Sequence, residues 1–389
     1  MEATGLQERA APVGASAELI EIDAIGIRAR TPWELFWRRF REDKVAMASL
    51  IFLAFITLIA IFAPLVIKAV GAPGPNVEDQ SSLSSGFALP TGPSSAHIFG
   101  VDQIGRDVFS RVVYGARLSL EVAIVATLFA TVIGVVTGLL AGYFRGWSDT
   151  LISRSVDVLL AIPYLLLALG LGAACSIAVG SSSGCLGGHV DLTSVIVLGV
   201  GAAIVAFGVY LGIRDGLRDG RTLTVLMGGA AIFLLGAFPV PVPSIKPGFS
   251  VLVFVIAFTS WTYMTRIIRG QVLSLREKEF VEAARSIGAS HSRIIFREIL
   301  PNLTAPIVVY ASILVPQVIL YQAALAYLGL GGDPSTPSWG QMISDATPNF
   351  NTQWWYMMFP GLALLFTVLA FNLVGDAMGD ALNPRAKKT

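Results

Sequence analysis

The chain has 389 residues, 54% of them hydrophobic and only 14% charged, against roughly 25% charged in a soluble domain. A formal net charge of +1 offers nothing to a nucleic-acid partner. A mean hydropathy of +0.70, with repeated apolar runs near the ~20-residue bilayer span, specifies an all-α polytopic membrane protein.

Residues 1–31 are small, charged and aperiodic, a composition with too little apolar surface to fold. From Thr31 to Phe40 the pattern is that of an amphipathic helix. Its Trp33, Phe36, Trp37 and Phe40 suit a membrane interface, with Arg38, Arg39, Arg41 and Lys44 toward the cytoplasm. The first apolar run, Val45 to Ile67, is too long for a signal core and has no small-x-small cleavage site behind it, so it is expected to remain as an anchor.

Eight spans are predicted: 45–67, 119–143, 151–173, 193–213, 222–240, 250–270, 303–328 and 355–378. Arginines and lysines gather in the N-terminal segment, at 214–221, in the loop 265–297 and in the tail. The loops 174–192, 241–249 and 329–354 hold only Lys246 as a basic residue. An even number of spans separates the basic segments, which puts them, and both termini, in the cytoplasm. Arg106, Arg111 and Arg117 run against this bias, but they belong to an organised stretch rather than a bare loop. The domain plan is therefore a cytoplasmic tail (1–44), a first span (45–67), an extracytoplasmic segment (68–118) and a transmembrane domain (119–386). Within 68–118, Asp107 to Leu118 carries apolar residues at helical spacing, which predicts a surface helix feeding the second span.

Cys175 and Cys185 share one Gly/Ser-rich loop. They could form a disulfide if that loop faces an oxidising exterior, or stay as two free small residues. None of the six lysines stands in a phosphate-loop context. His97, His189 and His291 lack metal-ligand spacing, and no nucleophile–base set is visible, so the chain is not expected to be an enzyme by itself. Charges within the spans are few. Arg154 and Asp157 read as an i,i+3 pair, and Arg117 with Glu121 in the same way; Asn372 and Asp376 are expected to bond neighbouring helices.

The loop after the sixth span carries a short helix. Phe280, Ala283, Ala284 and Ile287 fall at i, i+3, i+4 and i+7 and make one apolar face, with Glu279, Glu282 and Arg285 on the others. Gly288 suits the left-handed position that ends a helix, and Ser290 suits the N-cap of the next. Pro301 is expected to mark the turn into the following span.

Glu282-Ala283-Ala284 with Gly288 and then Ile299-Leu300-Pro301 resembles the signature loop of ATP-binding-cassette importer permeases. Ile299 and Leu300 are adjacent here rather than separated. Further blocks are similar to the C-type permease subunit of the dipeptide/oligopeptide/nickel group: Arg38-Arg39-Phe40, Gly100 to Asp107, Gly115 to Leu120, Thr336 to Gly340, Phe371 to Asp376 and Asp380 to Arg385. The resemblance covers about 30–172 and 250–386.

That resemblance implies a type I importer permease fold with a cytoplasmic coupling helix at 279–290. It implies a second permease subunit, two cytoplasmic ATPase subunits that bind ATP and magnesium, and an extracytoplasmic binding protein. The chain itself would hold no cofactor and no metal. Glu282, Ala283, Ala284, Arg285 and Gly288 would couple to an ATPase, with Leu300 and Pro301 orienting the return to the membrane. Gly105, Arg106, Asp107, Ser338 and Trp339 would shape the outer mouth or meet the binding protein. Peptides are the expected cargo in a bacterial or archaeal cytoplasmic membrane; nickel or another small solute, or a stand-alone secondary transporter, remain as alternatives. The departure from the group is 173–249, where two extra apolar segments form a hairpin, either peripheral or a dock for another membrane protein.

Overall fold

The computed structural model describes residues 32–83, 90–170, 247–330 and 335–382. The predicted spans 193–213 and 222–240, and the cysteine pair, lie outside the described residues. Among the described residues every long element is a helix, and β-pairing is confined to isolated bridges such as Glu78–Arg106 and Val101–Asp107.

Helix α1 (Pro32–Glu42) leads into α2 (Lys44–Ile61), whose N-terminus is capped by Asp43 through the amides of Val45 (2.9 Å) and Ala46 (3.1 Å). The predicted first span does not run straight to Ile67. Pro64 lacks the N–H that would continue the ladder, so the chain breaks at Phe62 and resumes as α3 (Ala63–Val70). The face of α1 that carries Phe36 and Phe40 is buried against Ala370, Val374, Ala377 and Ala381, so two of the residues assigned to the membrane interface are instead covered by protein.

Helix α4 (Val108–Phe144) fuses the predicted surface helix with the second span. Its 37 residues extend about 55 Å, well beyond a ~30 Å hydrocarbon core, so one end stands clear of the bilayer. After a tight turn at Arg145 and Gly146, both at positive φ, α5 (Trp147–Ala161) begins. The predicted span 151–173 is not continuous: α5 and α6 (Tyr164–Gly170) are bent by 88°. Pro163 forces Ile162 into extended backbone (φ −85°, ψ 126°), which ends α5.

The remaining helices are α7 (Pro247–Leu275), α8 (Glu279–Ser286), the continuous helical run α9 (His291–Leu330), α10 (Trp339–Ala346) and α11 (Trp354–Leu382). Among the described residues, four helices (α2, α4, α9 and α11) are long and apolar enough to cross a membrane, and the bent α5–α6 pair makes a fifth candidate.

Helices α4 and α7 pack most intimately, for a reason of size. Gly134, Gly138 and Gly142 recur every fourth residue along α4. A Cβ at these positions would meet the Cβ atoms of Met264, Ile268 and Val272 at 2.5, 2.8 and 2.7 Å, so only glycine lets the backbones approach so closely. Thr137 and Thr265 share a hydroxyl hydrogen bond of 2.7 Å across the same seam. Helices α9, α11 and α2 complete the bundle. One end gathers α1 and the ends of α4 and α11 with α8. The other gathers residues 72–107, α10 and the start of α11, where Trp355 Nε1 donates to the Val101 carbonyl at 3.2 Å. Asn372 and Asp376 point outward from α11 instead of into neighbouring helices.

Candidate functional site

The C-terminal end of α4 leaves carbonyls without helical partners. Arg276, just past α7, donates to the Tyr143 carbonyl at 2.6 Å and to that of Gly142 at 3.4 Å, and so caps α4. Glu277 pairs with Arg145 beside it. Helix α8 begins two residues later. Glu279 and Glu282 sit in its first turn and Arg285 in its last, the order that complements a helix dipole.

The apolar side of α8 is divided differently from the sequence expectation. Val281, fully buried, and Ala284 pack among Leu139, Met264, Ile268, Val272, Ile294 and Ile299. Phe280 is 38% exposed, Ile287 79%, and Ala283 with Glu282 also faces outward. The periodicity identified a helix, but the core claims Val281 in place of Phe280 because the ends of α4 and α7 lie on that side. A cavity of about 580 Å³ lined by Arg276, Glu277, Glu282, Arg285 and Ser286 opens beside the exposed face.

Gly288 has φ +78°, the left-handed value its position requires. The Ala289 amide bonds back to the Ala284 carbonyl at 3.0 Å and closes the helix. Ser290 then caps the next helix by accepting from the Arg293 amide at 3.4 Å. The expected turn at Leu300-Pro301 does not occur, because the helical run is continuous from His291 to Leu330. A π-helical stretch, Ile294–Ile299, precedes Pro301 and shifts the ladder, so the Leu300 amide bonds Ile295. Tyr143 joins these pieces. Its hydroxyl lies 2.8 Å from His291 Nδ1, and the Arg285 guanidinium sits 5.8 Å from its ring centroid.

At the opposite end, Gly105 (φ +84°) makes a turn so tight that a Cβ would lie 2.5 Å from the Asp79 carbonyl oxygen. Arg106 folds back on Asp102, with Nε to Oδ2 at 2.7 Å. Asp107 caps α4 by accepting from the Ser110 amide (2.8 Å), and its other oxygen lies 2.9 Å from His97 Nδ1. Ser338 caps α10, and Trp339 donates to the Val112 carbonyl at 3.0 Å. Asp107, Ser338 and Trp339 are buried, so they build this end of the bundle from within its packing.

Sequence reasoning missed the partners that organise this end. His97 bridges Asp107 and Ser82, and the fully buried Arg111 reaches toward Asp102 (3.9 Å) and the Pro75 carbonyl (3.2 Å). The signal available was the charged set His97, Asp102, Arg106, Asp107 and Arg111, interleaved with apolar residues within fifteen positions. The hydroxyls of Ser81 and then Ser82 hold the Asp79 carboxyl down at about 2. Burial raises the Asp345 carboxyl above its ordinary range, opposed by Arg111 and Arg106.

On α5 the predicted Arg154–Asp157 pair is replaced: Asp157 accepts from Arg266 of α7 at 2.6 Å. A helix neighbour three residues away lost to a guanidinium brought in by the α5–α7 contact. Arg117 and Glu121 do pair, at 2.9 Å. Among the described residues no group of three or more His, Cys, Asp or Glu side chains is placed to hold a metal ion.

Residues 134–388 match the family described as binding-protein-dependent transport system inner membrane component, and 31–80 match the N-terminal TM domain of oligopeptide transport permease C. The chain is 36% identical over 362 residues to glutathione transport system permease proteins of Escherichia coli O6:K15:H31 (strain 536), Shigella boydii serotype 4 (strain Sb227) and Shigella sonnei (strain Ss046). Each alignment covers 92% of this chain and 93% of the relative.

Proposed function

The chain belongs to the binding-protein-dependent transport system inner membrane components, and from that premise we propose that α8 is the element through which a separate ATPase drives peptide import. The protein is a multi-pass permease subunit of an ATP-binding-cassette importer, with the type I importer permease fold. What supports the finer reading is the split of α8: Val281 and Ala284 root it in the core shared by α4, α7 and α9, while Phe280, Glu282, Ala283 and Ile287 are left facing outward. A helix fixed on one side and bare on the other transmits a push as a rigid-body shift of the helices it is rooted in.

In this reading the α8 end faces the cytoplasm together with both termini. Two ATPase subunits bind ATP and magnesium, and this chain holds no cofactor. A second permease subunit completes the path, and an extracytoplasmic binding protein delivers cargo to the end built around Gly105, Arg106, Asp107, Ser338 and Trp339. Peptide cargo is supported by the similarity to glutathione permeases and to the oligopeptide permease N-terminal domain.

The test is uptake by the reconstituted importer carrying Glu282→Lys or Gly288→Pro. Proline cannot adopt φ +78°, so the second variant removes the stop that sets the angle between α8 and α9. Both variants are expected to insert in the membrane and to lose peptide uptake per ATP hydrolysed. Unchanged uptake in both overturns the coupling role. Transport by this chain alone, without ATPase, would establish the stand-alone carrier instead.

A further inference from the structure

We propose that the cavity between α5 and α7 is a carboxylate subsite on the inner half of the translocation path, where Arg154 receives the terminal carboxylate of a peptide cargo. This rests on the peptide-importer reading above. The cavity measures about 580 Å³, within the range of small-ligand sites. Its charged lining is Asp149, Arg154 and Asp157 from α5, with Arg266 and Arg269 from α7.

Four of those five groups are already committed. Asp149 receives Nε and Nη2 of Arg269 at 2.5 and 2.9 Å, and also the Ser153 hydroxyl at 3.1 Å. Asp157 receives Arg266 at 2.6 Å. These pairs clamp the two helices at positions eight residues apart on α5, about 12 Å along its axis. Arg154 lies between them, is exposed to the cavity, and has no ion pair or hydrogen bond among the described residues. Three arginines against two aspartates leave one positive charge, and it resides on the uncommitted guanidinium.

Arg269 and Arg266 lie six and nine residues before the end of α7, about 9 and 14 Å from it. A guanidinium that faces an open cavity with its donors unused is available to an anionic partner. The 88° bend between α5 and α6 falls about one turn past Asp157, and broken helices border substrate paths in membrane transporters. A planar guanidinium selects a carboxylate through two parallel hydrogen bonds.

The experiment uses the assembled importer in inside-out vesicles, with Cys175 and Cys185 replaced by serine and Ser153→Cys as a reporter in the cavity. Labelling by the anionic reagent methanethiosulfonate ethylsulfonate is followed with a tripeptide or its C-terminal amide present. The free acid is expected to protect at about tenfold lower concentration than the amide, the size of one charge-assisted pair. Arg154→Gln should abolish that preference and Arg154→Lys should retain part of it. Equal protection by acid and amide in the parent, or a preference that survives Arg154→Gln, overturns the proposal. So does loss of the second permease subunit from the Arg154→Gln complex without any acid preference in the parent, which would place a partner carboxylate on Arg154. Failure of the importer reading would register separately, as absence of ATP-driven uptake of either peptide by the parent assembly.

Discussion

The Tyr143 hydroxyl lies 2.8 Å from His291 Nδ1, which ties the last turn of α4 to the first residue of α9 across the short helix between them. Because Arg285 also sits over the Tyr143 ring, this one side chain of α4 links it to both α8 and α9. Tyr143→Phe keeps the ring and removes only the hydrogen bond. It is expected to cost about 1 kcal/mol of stability in a thermal or denaturant melt. Tyr143→Ala also vacates the space under Arg285 and His291 and should cost about 3–5 kcal/mol.

The two sides of α8 should respond oppositely to charge. Val281→Asp buries a carboxylate among Leu139, Ile268 and Ile294 and is expected to abolish folded protein, read as loss of the monodisperse peak in detergent. Ile287→Asp changes a side chain that is 79% exposed. It should leave the melt unchanged within about 0.5 kcal/mol while releasing the ATPase in a pull-down. Equal melts for the two variants would contradict the burial described for Val281.

The α4–α7 seam should tolerate no methyl. Gly138→Ala places a Cβ 2.8 Å from Ile268 Cβ and 3.0 Å from the Thr265 carbonyl oxygen. The expected loss is about 1–3 kcal/mol from overpacking. Ile268→Ala keeps its Cβ at 2.8 Å and removes only the Cγ2 contact at 2.9 Å, so the double variant should recover part of that loss and no more. Additive losses in the double variant would show that the two residues do not meet.

The end of the bundle built by residues 72–107 and α10 carries two carboxylates whose pH dependences have opposite sign. Asp79 is depressed from 3.8 to about 2, chiefly by the Ser81 and Ser82 hydroxyls. Its contribution is present above pH 4 and is lost as pH falls through 2. Asp345 is raised by burial, so its contribution is greatest at low pH and declines as pH rises through its elevated value. Melting temperatures across pH 2 to 7 check both: Asp79→Asn should remove the acid-side loss, and Asp345→Asn should stabilise the protein at neutral pH relative to the parent.

Sequence made the local features legible. Periodicity read helices over 31–40 and, as the coupling helix, 279–290, where the structure has Pro32–Glu42 and Glu279–Ser286, and the chemistry of Gly288 and Ser290 placed the stop and cap between α8 and α9. Arg117 found Glu121 because four residues make one helical turn. The motif blocks were legible for the same reason: their residues are contiguous. The break at Pro163 was written in the chain but hidden in an apolar run long enough to be read as one span.

What the amino-acid order determined by itself, then, was set within a few residues: most of the helical segments, the stop and cap at Gly288 and Ser290, and apolar lengths that suit a bilayer. Only the tertiary structure decided which side of α8 is buried, that Asp157 answers to Arg266 on another helix, and that Gly134, Gly138 and Gly142 are spaces for α7. The reason is physical. Hydrogen bonds within a helix join neighbours in the chain, so local residues fix them. Burial and ion pairing are settled by whichever distant surface arrives within a few ångströms, and periodicity carries no record of that surface.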